Sequence, residues 1–112
     1  MINPKPAWEL VKVNAKKALT ANIIYHSVVE RRAYKIAIVA DDKIIITRSS
    51  GGENDELSEY IVVNAIQKIN QHNGRIKRRG LIDPTVAQET TLVVLHPKLS
   101  WDETGNYIIE VK

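Results

Sequence analysis

The sequence predicts a single α+β domain: a mostly antiparallel β-sheet with one main amphipathic helix, about 55–71, packed on it. Three observations lead there. Two largely apolar runs, 34–40 and 43–48, flank Asp41-Asp42, a broad apolar stripe with end signals follows over 55–71, and a β-branched segment closes the chain at 107–111. The 112 residues suit one domain, 1–112, with a core of modest size. An apolar fraction of 44% beside 26% charged residues belongs to a folded chain rather than a disordered one. Aromatics are few and Phe is absent, so Ile and Val must build the core.

Residues 1–7 contain Pro4 and Pro6 and read as an extended N-terminal arm. From Trp8 to Val13 the rough alternation fits a strand or a short helix equally, and 14–19 suits a helix. Residues 22–30 are β-branched enough to favour a strand. The hairpin is clearer: 34–40 and 43–48 flank Asp41-Asp42, and aspartate accepts turn conformations that β-branched residues resist. Tyr34, Ile36 and Ile38 share one face, as do Ile44 and Ile46. Ala37, Val39 and Ile45 place apolar groups opposite. A hairpin covered on both sides is expected, which predicts a homo-oligomer, a dimer, formed through 34–48.

After a loop at 49–54, Asn54 or Asp55 serves as N-cap, with Glu56 and Glu59 in the first turn. Leu57, Ile61, Ala65 and Ile69, joined by Val62 and Ile66, form the apolar stripe, and Asn73-Gly74 supplies a left-handed stop. Asp83-Pro84 opens a second short helix near 83–90. Residues 90–95 could extend that helix or form a buried strand; length and β-branching favour the strand, which His96-Pro97 stops. Residues 101–106 are turn chemistry and 107–111 a closing strand, giving four or five strands in all.

Without cysteine the chain has no disulfide, thiolate metal site or Cys nucleophile. No run approaches membrane-spanning length and the start has no apolar leader, so a cytoplasmic location and no membrane partner are expected. His26, His72 and His96 lack the spacing of metal ligands, and no metal or cofactor is expected. Ser49-Ser50-Gly51-Gly52 precedes a helix but lacks a P-loop lysine, and Glu53, Asp55 and Glu56 would repel phosphate.

The net charge of +3 is unevenly spread. Residues 61–80 carry five basic and no acidic side chains, and residues 1–35 carry seven basic against two acidic. Arg75, Lys77, Arg78 and Arg79, bounded by Gly74 and Gly80, form a basic loop whose arginine forks match phosphate oxygens. Lys16, Lys17, Arg31 and Arg32 would support it if they shared its face. Helix, basic turn and second helix give the outline of a helix-turn-helix, although 74–82 is long for its turn and no base-reading helix is obvious. The competing explanation is a solvated loop, or cations that neutralise the acidic segment at 53–59. The expected function is therefore a small non-enzymatic binding protein, contacting nucleic acid (DNA) through 75–79. The alternative is a protein-interaction or homo-oligomerising domain without nucleic acid. A small enzyme using His26 with Glu30, or His96 with Asp102, comes third.

Overall fold

The computed structural model describes residues 1–28, 31–81 and 84–111. Among them lie three helices and seven strands in two antiparallel sheets, an α+β fold. The first helix, α1 (Pro4–Thr20), replaces the expected arm. Both prolines sit in its first turn, where the missing N–H groups would have no intrahelical partner anyway, and Ala7 N makes the first bond, to Asn3 O at 3.0 Å. Ala7, Trp8, Val11, Ala15 and Ala18 are buried at helical spacing, which resolves 8–13 as helix.

A short strand, β1 (Tyr25–His26), is all that the described part of 22–30 contributes. Val29 and Glu30 fall outside the described residues. The hairpin forms as expected, from β2 (Ala33–Val39) and β3 (Lys43–Arg48) turning at Asp41-Asp42. A register shift between Ile36 and Ile38 changes the facing: Tyr34 and Ile36 point into the core, whereas Ile38 swings out to 56% exposure opposite Ile45. One side of the hairpin is therefore covered by the domain itself. The other, with Ala37 and Ile45, is only half-buried.

The next correction is the start of the main helix. Residues placed in its first turn instead form β4 (Asn54–Ser58), pairing with β3 so that Leu57 lies beside Ile44. The helix α2 (Glu59–Gln71) begins where Ser58 Oγ accepts from Ile61 N at 3.3 Å and Glu59 N donates to Asp42 O at 3.0 Å. It ends as expected: Asn73 and Gly74 take φ of 58° and 82°, and Gly74 N closes on Ile69 O at 2.9 Å.

The basic stretch is not a loop. Residues Arg75–Lys77 are strand β5 and Arg78–Gly80 a 3-10 turn. The second helix begins later and runs further than expected: α3 (Val86–Leu95) absorbs the segment read as a strand. Asp83 falls outside the described residues. Thr85 is the N-cap, in a reciprocal box with Gln88 (Thr85 N to Gln88 Oε1, 2.7 Å; Gln88 N to Thr85 Oγ1, 3.2 Å). Most of α3 is buried on every side, so its β-branched residues obey tertiary packing rather than local propensity. Its polar groups find partners: Gln88 Nε2 donates to Glu56 O at 2.7 Å, blunting the free edge of β4, and Thr91 hydrogen-bonds the Tyr25 hydroxyl. Burial, only partly offset by the Thr91 bond, raises the Tyr25 pKa.

Two further strands, β6 (Leu99–Trp101) and β7 (Tyr107–Glu110), complete a second sheet of order β5-β7-β6 beside the first, β1-β2-β3-β4. Two sheets thus stand where one was expected. The helices and the inner faces of both sheets share one core, in which Trp8, Ile44, Ile46, Ile66, Ile69 and Ile108 are fully enclosed. Among the described residues, no helix is long and apolar enough to cross a membrane.

Candidate nucleic-acid interface

Strand β5 alternates, so Ile76 enters the core while Arg75 and Lys77 face outward. Its pairing with β7 sets Lys77 beside Tyr107 and Arg75 beside Ile109. Lys77, Arg78 and Arg79 then line a cleft of about 490 Å³ with Asn106 and Tyr107, and no carboxylate is among those lining residues. Arg78 N donates to Asn106 O at 3.1 Å, fixing the 3-10 turn to the start of β7.

The four cations of the stretch play different parts. Arg78 is held inside: its Nε and Nη2 both reach Glu89 Oε2 at 2.8 Å, with the side chains only 15% and 6% exposed. Burial pushes the Glu89 carboxyl upward in pKa even though Arg78 pulls the other way. Arg75 is anchored at the surface. Its guanidinium carbon sits 4.1 Å from the centre of the Tyr107 ring, and its Nη2 donates to Asp102 Oδ2 at 3.1 Å. Lys77 and Arg79 are exposed, and among the described residues neither side chain makes an ion pair or hydrogen bond.

Asp102 is itself built in. Its Oδ1 accepts from Thr104 Oγ1 at 2.8 Å, Asn106 N at 3.2 Å and Tyr107 N at 3.3 Å. Burial would raise its pKa, but those hydrogen bonds and Arg75 outweigh it and hold the carboxyl below its ordinary value. The pattern Asp102-x-Thr104-x-Asn106 reads as a turn in the sequence; its second role as the anchor of Arg75 depends on a strand pairing formed at long range.

The auxiliary basic positions divide. A Cβ on Gly105 would stand 2.8 Å from Val28 Cγ1, so the segment before Arg31 and Arg32 leans on the turn whose Asn106 lines the cleft. Arg31 adopts φ of 47° and lines a separate recess with His26, Ser27 and Val28, while Arg32 N donates to Ser27 Oγ at 2.9 Å. Lys16 and Lys17 lie on the exposed side of α1 and line none of the cleft.

The acid–base pair of His96 with Asp102 is not assembled. Asp102 is committed to Arg75, and His96 is buried with Nδ1 accepting from Lys98 N at 3.1 Å. Burial first, then Lys98, lowers the His96 pKa against an opposing pull from Glu110. Glu30, the partner imagined for His26, lies outside the described residues. Among the described residues no group of three or more potential metal ligands gathers. Comparison with protein-family models, curated proteins and solved structures finds no match.

Proposed function

We propose that the chain is a small non-enzymatic nucleic-acid-binding domain that grips phosphates with Lys77 and Arg79. The observation that carries this reading is the cleft of Lys77, Arg78, Arg79, Asn106 and Tyr107, which has no carboxylate in its lining. Exposed cations beside an amide and an aromatic suit a phosphate backbone better than a solvated face, because nothing within the lining neutralises them. Arg75 and Arg78 are supports in this scheme, holding the wall of the cleft while Lys77 and Arg79 reach outward. Arg31, which lines a separate recess, and Arg32 stand outside the cleft lining, and Lys16 and Lys17 contribute only to the long-range field.

The test is fluorescence anisotropy with labelled oligonucleotides at low salt. Binding is expected, and Lys77→Ala/Arg79→Ala should weaken it roughly tenfold or more while leaving the melting temperature nearly unchanged. Absence of binding, or a double variant that binds as well as the parent, would overturn the reading.

The outer face of the hairpin favours a second reading, homodimerisation. Ile38 stands 56% exposed opposite the half-buried Ile45, an apolar spot on a sheet face. Light scattering at micromolar concentration is then expected to give twice the chain mass, and Ile38→Asp to return it to one. A single-chain mass for the parent removes this reading without touching the first.

A further inference from the structure

Resting on the nucleic-acid reading above, we infer that the ligand is single-stranded and that one of its bases stacks on the open face of the Arg75 guanidinium. The pile is already assembled. The Arg75 guanidinium carbon lies over the Tyr107 ring, 4.1 Å from its centre, its Nη2 donates to Asp102 Oδ2 at 3.1 Å, and the Arg75 side chain is still 55% exposed. On this inference the face turned away from Tyr107 is the one open to a ligand. Because Asp102 neutralises the charge locally, what Arg75 offers a ligand is its plane. Planar guanidinium groups and aromatic rings are the surfaces on which unpaired bases stack.

The neighbouring geometry suits an extended strand. Arg75 and Lys77 project from the same side of β5, two residues and therefore about 6.5–7 Å apart, and Arg79 lies two residues further on, in the 3-10 turn. That step is comparable to the separation of successive phosphates along an extended single strand. A base on Arg75 would leave its neighbouring phosphates at Lys77 and Arg79. In a duplex the bases are paired and stacked on one another, so no base could reach the plane, and only the phosphate contacts would remain. Tyr107 joins the two parts, since it lines the cleft and carries Arg75.

The experiment compares three probes on the intact chain at low salt: a short oligothymidylate, an abasic deoxyribose-phosphate oligomer of equal length, and the corresponding duplex. The parent protein should bind the oligothymidylate roughly tenfold more tightly than the abasic oligomer, a difference that needs no variant to observe. Arg75→Lys keeps the charge and can keep the pair with Asp102 but loses the plane. It should remove most of that preference while hardly moving the abasic oligomer. Lys77→Ala/Arg79→Ala should weaken both single-stranded probes alike. Equal affinity for the base-bearing and abasic strands, preference for the duplex, or an Arg75→Lys loss shared by both probes overturns the stacking inference and leaves phosphate binding standing. Failure of all three probes to bind overturns both.

Discussion

Replacing Arg78 with alanine is expected to destabilise the protein by about 3–5 kcal/mol at neutral pH, as removal of one member of a buried ion pair does. The pair is 15% and 6% exposed, so the Glu89 carboxylate would be left in the protein without its guanidinium and without water to replace it. An arginine on a solvated loop would cost no more than about 0.5 kcal/mol. The pH dependence is a further signature. The folded Glu89 pKa lies above the unfolded value of 4.5, so folding takes up a proton there. The group's contribution to stability is fully present below the unfolded pKa and is lost as pH rises through the folded one. Removing Arg78 moves the folded value higher still. The gap between variant and parent should therefore be small in acid and should open as pH rises through the parent's folded value, which itself lies above 4.5. Urea denaturation across that range measures it. Replacing both partners with apolar residues of similar size should recover much of the loss, because the surviving charge is then gone too.

Trp8→Ala is expected to cost a similar amount, about 3–5 kcal/mol. The ring is 1% exposed on the inner side of α1 and packs in the core shared by the helices and both sheets, with Lys12 Nζ 5.8 Å from its centre. For a domain of ordinary stability that is a large share of the whole. The denaturation midpoint should drop sharply with little change in the denaturant slope. A midpoint within error of the parent would mean that 4–20 does not dock as a helix.

The misplacement of 1–7 and the expected cost of Trp8→Ala share one cause, and it shows which parts of the fold could be read in advance. Pro4 and Pro6 look like breakers until they are counted into the first turn, and the rough alternation over 8–13 hides the helical spacing of Ala7, Trp8, Val11, Ala15 and Ala18. The hairpin was legible because Asp41-Asp42 interrupts two unmistakable apolar runs, but the shift that turns Ile38 outward leaves no local mark. Leu57 falls four residues before Ile61 and so imitates a helical stripe. It is the last inward residue of β4, just before the Ser58 cap, and both side chains reach the core from different elements. Residues 90–95 carried no periodicity to read, since all of them but the apolar Val94 are buried and no polar face remains.

The basic cluster was visible as a charge anomaly, but its internal division was not. Glu89 lies eleven residues from Arg78 and Asp102 lies twenty-seven from Arg75. Only the docking of α3 and the pairing of β5 with β7 bring those carboxylates to their arginines, leaving Lys77 and Arg79 exposed and without an ion pair among the described residues. Tyr107 and Asn106 reach the cleft by the same pairing, and no short-range pattern marks either.

That division makes a salt titration the most direct test of the central claim. Binding of a labelled oligonucleotide is followed as salt is raised, for the parent and for Lys77→Ala/Arg79→Ala. If these two side chains hold phosphates, log K should fall linearly with log salt, and the double variant should lessen the slope by about two. A parent whose binding ignores salt, or a double variant with the parental slope, would contradict it.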